Sequence, residues 1–112
     1  MPRDAAAMSE QTYYVLAALL DGPLHGHAIL KRVAALTHDR VVLAVGTLYG
    51  ALDRLAAHGV IVVEREEVVN GRRRRYFRIT PEGSGLVAAE ARRMQQAAAL
   101  VTSRTLGAIC AF

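Results

Sequence analysis

The chain has 112 residues, enough for one domain with a modest core, and 53% of them are apolar while only 5% are aromatic. Its formal net charge is +4, and its arginines are clustered, which fits a polyanionic partner better than an even scatter would. A single cysteine, Cys110, excludes an intramolecular disulfide and a cysteine-rich zinc site, and the longest apolar run, Tyr13 to Leu20, is too short to span a bilayer.

The start, Met1-Pro2-Arg3-Asp4, lacks the apolar stretch of a signal peptide, so a cytoplasmic location is expected and no membrane partner. Residues 1–8 read as a flexible leader. Ser9, ahead of Glu10 and Gln11, is a helix N-cap, and the helix it opens is expected to reach Asp21. Tyr13, Leu16 and Leu20 form one apolar stripe on this helix, and Val15 with Leu19 a second, so it has two things to pack against: its own core and a second copy of the chain. Gly22-Pro23 ends it. A second helix runs from His25-Gly26 to about Leu36, with Ile29, Val33 and Leu36 inward and His27, Lys31 and Arg32 outward. Thr37 to Ala44 is a loop in which Val41-Val42 can form a short strand.

The next helix carries the densest signal. Gly46 and Thr47 mark its start and Gly59 its stop, and Leu48, Leu52 and Leu55 fall on one buried stripe. The opposite stripe, Thr47, Gly50, Ala51, Arg54 and His58, is small at one end and basic at the other, as a helix that approaches DNA closely would be. Val62 to Ile79 then reads as a β-hairpin turned by Asn70-Gly71, a type I′ signal. A two-residue loop sets Val69 opposite Arg72, Glu67 opposite Arg74, Glu66 opposite Arg75 and Val62 opposite Ile79. In that register Glu66 and Glu67 neutralise Arg75 and Arg74, whereas Arg72 and Arg73 at the tip lack an acid and are the expected phosphate contacts, with Arg74 and Arg78 in support.

Thr80-Pro81-Glu82 opens a last helix expected to end near Leu106, leaving 107–112 as a flexible tail. Val87, Ala91, Met94, Ala98 and Val101 repeat at four and three residues, a seam that suits a second copy of the chain. Together with Val15 and Leu19 they are the expected dimer interface. The division is thus 9–80 for a nucleic-acid-binding module and 81–106 for a dimerisation helix.

No nucleophile–base pairing and no phosphate-binding glycine loop supports an enzyme. His25 and His27 read as a cap and a surface histidine, so no metal and no cofactor is expected. Thr47, Tyr49, Gly50 and Arg54 would enter the major groove, with Lys31, Arg32 and the hairpin arginines on the flanking phosphates. The alternative is a protein-interaction module on the same fold. If a small-molecule effector exists, Tyr13, Tyr14, Leu16, Met94 and Ala98 are its expected pocket, between the first and last helices.

Three groups of residues resemble one family. Leu20-Asp21-Gly22-Pro23-Leu24-His25-Gly26, Gly46-Thr47-Leu48-Tyr49 with Leu52, Arg54-Leu55 and Gly59-Val60-Ile61, and Arg75-Tyr76-Phe77-Arg78-Ile79-Thr80-Pro81-Glu82-Gly83 are similar to the PadR family of bacterial transcriptional regulators, over about residues 12–86. The resemblance implies a mainly α fold with a small β-hairpin, a winged helix-turn-helix plus a long C-terminal dimerisation helix. It also implies a homodimer that binds a pseudo-palindromic operator in double-stranded DNA, represses a nearby gene and is relieved by a small ligand. The chain differs in having Gly50 where the family commonly has proline, His27 where it has an aromatic residue, and no tryptophan.

Overall fold

The computed structural model describes residues 8–110, of which 106–110 are described as backbone only. In chain order these are α1 (Glu10–Ala18), β1 (Leu24–His25), α2 (Gly26–Leu36), α3 (Val45–Ala57), β2 (Ile61–Val69), β3 (Arg72–Ile79) and α4 (Pro81–Cys110). The strands form one antiparallel sheet in the order β1-β3-β2. Mainly α with a β-hairpin is therefore the class, and the sheet gains a short third strand.

Local chemistry explains the boundaries. Ser9 accepts a hydrogen bond from the Thr12 amide at 3.0 Å and caps α1. The helix stops at Ala18, three residues before the expected Asp21, and Gly22 then turns with φ +146°. His25 caps α2, its ring Nδ1 accepting from the Ala28 amide at 3.2 Å. The expected strand at Val41-Val42 is absent: Val41 and Leu43 face the core, Val42 faces water, and Thr37 closes the loop by accepting the Val41 amide at 3.0 Å. Helix α3 starts at Val45 with Ala44 as its N-cap, so the Gly46-Thr47 cap signal is overturned, and the helix start has no side-chain cap hydrogen bond.

Among the described residues, the largest fully buried side chains are Val15, Leu16, Leu19, Ile29, Val33, Leu48, Leu52, Ile61 and Phe77. The core thus joins both apolar stripes of α1 to α2, α3 and the sheet. Val15 and Leu19 are corrected from dimer contacts to core residues, because α1 packs against α2 and α4 of its own chain and both side chains are buried in the common core. Leu20 and Leu36, expected inward, are about half exposed, and Ala51, expected outward, is buried.

Two contacts fix α4 to the domain. Thr80 accepts the Gly83 amide at 3.0 Å, as its N-cap role requires, and its own amide donates to the Val60 carbonyl at 3.0 Å. A β-carbon on Gly83 would lie 2.2 Å from that same carbonyl, so only glycine lets the helix cross there. Farther along, Val87 is buried in its own domain, which removes it from the expected dimer seam, and Ala91 and Met94 are half-buried. Ala98, Leu100 and Val101 are exposed. The backbone stays helical through Gly107 to Cys110, so the expected stop at Leu106 does not occur. Among the described residues, no helix is long and apolar enough to cross a membrane.

Candidate nucleic-acid interface

The hairpin forms as its turn dictates. Asn70 and Gly71 take φ values of +52° and +77°, the left-handed pair a type I′ turn needs. Val69 faces Arg72, Glu67 faces Arg74 and Glu66 faces Arg75, as expected. Between Val63 and Arg65 the register shifts, so Ile61, not Val62, faces Ile79. The extra residue of this β-bulge is Glu64, whose carboxylate lies 3.3 Å from Arg78.

The ion pairs differ from the register's simple implication. Glu66 reaches diagonally to Arg73 at 3.5 Å instead of across to Arg75. Glu67 pairs with Arg65, and the Tyr76 hydroxyl donates to its other oxygen at 2.9 Å. That hydroxyl, with the Arg65 guanidinium, holds the Glu67 carboxyl below the usual carboxylate range. Arg65 also stacks over the Tyr76 ring at 3.7 Å. Among the described residues, Arg72, Arg74 and Arg75 have no carboxylate within ion-pairing distance; Arg73, expected to lack an acid, has Glu66, and Arg74 and Arg75, expected to be neutralised, have none.

The short strand β1 brings a second element to the wing. Leu24 pairs with Phe77 and His25 with Tyr76, the His25 and Tyr76 rings meeting edge to face at 5.3 Å. Burial, with Arg74 and His27 nearby, pushes the His25 pKa down, which keeps its ring neutral and its Nδ1 free to accept the cap hydrogen bond. The first turn of α2 thereby stands beside the hairpin tip. Between them and α3 lies a concave surface of about 710 Å³, lined by His25, Gly26, His27, Tyr49, Val69, Asn70 and Arg72 to Arg75.

The structure thus brings Tyr49, Arg72, Arg73 and Arg74 together and adds His27 and Arg75, which periodicity and register alone do not place there. The missing signal is β1: two residues carry no periodicity, and only its pairing with β3 places His27 beside the arginines. Thr47 and Arg54 are exposed on α3, and Arg54 folds back along it, 3.6 Å from where a β-carbon on Gly50 would be. Lys31 is exposed, but Arg32 is held by Asp21, which reduces its freedom to meet a phosphate. Arg78 sits away from the concave surface, on Glu64.

The expected effector residues do not form one lining. Leu16 is sealed in the core, Tyr13 and Tyr14 are half-buried and meet edge to face at 5.5 Å, and Ala98 is exposed. Tyr14 instead accepts from Arg40 at 2.9 Å, and Arg40 also holds Glu10 at 2.9 Å, which closes α1 against the loop after α2.

Comparison with known proteins gives this arrangement a context. The model of the transcriptional regulator PadR-like family matches residues 15–89. The chain is 33% identical over 85 residues to the transcriptional regulator Rv3488 of Mycobacterium tuberculosis, covering 76% of each. It is 42% identical over 80 residues to an uncharacterized 37.1 kDa protein in transposon TN4556 of Streptomyces fradiae, but spans only 21% of that protein's length. Among solved structures, a transcriptional regulator from Clostridium thermocellum superposes with a TM-score of 0.70 at 27% identity, over 81% of this chain and 88% of that one. Bacillus subtilis PadR in complex with operator DNA superposes with a TM-score of 0.63 at 19% identity, over 70% of this chain and 45% of that one; at that identity the likeness is of fold.

Proposed function

The chain belongs to the PadR-like family of transcriptional regulators, and from that premise we propose that it is a cytoplasmic repressor that binds a pseudo-palindromic operator in double-stranded DNA as a homodimer. The observation that carries this reading is the basic concave surface between α3, the first turn of α2 and the hairpin tip. Arg72, Arg74 and Arg75 have no acid among the described residues to hold them, and four adjacent cations repel one another until an anion arrives. A phosphate backbone supplies that anion, and α3 beside it is the element that enters the major groove. The dimer is built from the exposed part of α4, where Ala98, Leu100 and Val101 have no cover from their own domain.

No cofactor is proposed. Release of the operator by a small molecule is proposed to use a site that this subunit does not form alone and that a second subunit completes, near Tyr13, Tyr14, Met94 and Ala98.

The test is a titration of the DNA upstream of the protein's own gene, beside unrelated DNA of equal length, at two salt concentrations. Selective binding that weakens with salt and is lost in the Arg72→Ala, Arg73→Ala double variant supports the reading. Equal, weak binding to both duplexes overturns it and leaves a protein-interaction module.

A further inference from the structure

The N-terminal end of α3 is unusual in what it lacks. Ala44, Val45, Gly46 and Thr47 are all exposed there, and none carries an amide, guanidinium or carboxylate. The first such side chain on the helix is Asp53, eight residues on from Val45, about 12 Å along the axis. Bidentate hydrogen bonds to guanine or adenine need just those missing groups. What the helix end offers is methyls: Val45 is 59% exposed, and Val42 in the preceding loop is 72% exposed. Val45 and Tyr49 are one turn apart and share a helix face, and Tyr49 lines the basic surface. The apolar tip is therefore continuous with the cationic groove, which gives it one fitting occupant, the floor of the major groove beside the phosphates that the arginines hold.

Resting on the DNA-binding reading above, we propose that Val45 is a specificity-determining residue that reads thymine C5-methyl groups, with the Ala44 and Thr47 methyls beside it. Thymine is the base that displays a methyl in the major groove, so a methyl surface selects it without a hydrogen bond. Gly46, where a β-carbon would meet nothing within 4 Å, leaves room for the backbone to come close. Thr47 adds a hydroxyl that can bond to either kind of base edge or to a phosphate. The cost of holding valine in water is recovered when two methyl surfaces exclude it together, roughly three- to fourfold in affinity for each methyl covered.

The experiment starts from a duplex selected from a random pool by the full-length protein, then remade with deoxyuridine in place of each thymidine in turn, which deletes one methyl and leaves the hydrogen-bonding edges unchanged. The expected result is a loss of roughly three- to fourfold or more at one or two positions in each half-site, and none elsewhere. Val45→Ala then binds thymine and uracil duplexes alike at those positions; being an exposed substitution to a better helix former, it keeps the fold. A selected duplex whose uracil forms all bind as tightly as the thymine form overturns this inference while leaving DNA binding intact. Failure of any sequence to emerge from the pool overturns the DNA-binding reading itself. If Val45→Ala changes the sedimentation of the free protein and not its base preference, the patch joins copies of the chain and the inference is likewise overturned.

Discussion

The Tyr49 hydroxyl occupies the place that a side chain on Gly26 would need: a β-carbon built there lies 2.2 Å from that oxygen and 2.6 Å from the ring carbon that bears it. Tyr49 is 38% exposed, so the contact fixes the ring over the start of α2 instead of burying it. One atom's absence in α2 thus sets the outward position of a side chain on α3, in the wall of the basic surface.

Gly26→Ala tests that relationship, because two effects oppose each other. Alanine in a helix gains up to about 1 kcal/mol over glycine, whereas a clash with a packed ring costs about 1–3 kcal/mol. The clash should win, since it involves the phenol carbon as well as the oxygen, and Tyr49→Phe should not relieve it. Denaturant unfolding of Gly26→Ala, Tyr49→Ala and the pair is expected to show coupling, with the double variant less destabilised than the sum of the two single variants. Strict additivity would mean the ring swings into solvent without cost.

The hairpin arginines should separate by their partners. Arg72 has no carboxylate among the described residues, whereas Arg78 sits 3.3 Å from Glu64. Arg72→Ala is expected to weaken binding to all duplexes alike and to lower the slope of log affinity against log salt by about one for each phosphate that is no longer neutralised. Arg78→Ala should leave the slope nearly unchanged. Equal effects of the two variants would show that the Glu64 pair opens on binding and that both arginines reach phosphate.

How far the sequence foretold this surface depends on the range of the interactions involved. The Asn70-Gly71 turn and the pairing down to Glu66 opposite Arg75 were legible because a two-residue loop fixes register locally. The bulge at Glu64 was not, since nothing in Val62-Val63-Glu64-Arg65 distinguishes a regular strand from one with an extra residue. The Ser9, His25 and Thr80 caps were legible for the same local reason. The burial of Val15 and Leu19 was not, because an apolar stripe records that something covers it and not which element does. In this chain α1 packs against both α2 and α4, and the surface proposed for a second copy lies farther out along α4.

His25 gives stability a predictable pH dependence. Its folded-state pKa is lowered from the ordinary 6.5, chiefly by burial and then by Arg74. The native state therefore takes up the proton less readily than the unfolded chain, and the contribution is fully present above about 6.5 and lost as pH falls below it. Protonation also converts Nδ1 from acceptor to donor, which ends the cap on Ala28. The denaturant midpoint should fall between about pH 7.5 and pH 5.5. His25→Asn keeps a capping oxygen and cannot titrate, so its midpoint should fall less over the same interval. An equal fall in both proteins would assign the dependence to other groups.

The two halves of α4 should respond to substitution in different ways. Val87 is buried in its own domain, so Val87→Ala strips apolar packing from the core and leaves a cavity, at about 1–3 kcal/mol of stability. Val101 is 60% exposed and Leu100 61%, and a carboxylate at either would face water and the Arg104 guanidinium, which folds back onto the Leu100 carbonyl at 2.7 Å, so its charge costs its own subunit little. Leu100→Glu with Val101→Glu should leave the secondary structure intact while changing the sedimenting mass from dimer to monomer. Operator affinity should then fall steeply, because each half-site is held by a single module. Val87→Ala, by contrast, should keep the dimer mass and lower the unfolding midpoint. A charged α4 tip that still sediments as a dimer would place the interface elsewhere, and the exposed parts of α1 at Leu20 and of the α2 end at Leu36 would be the next surfaces to charge.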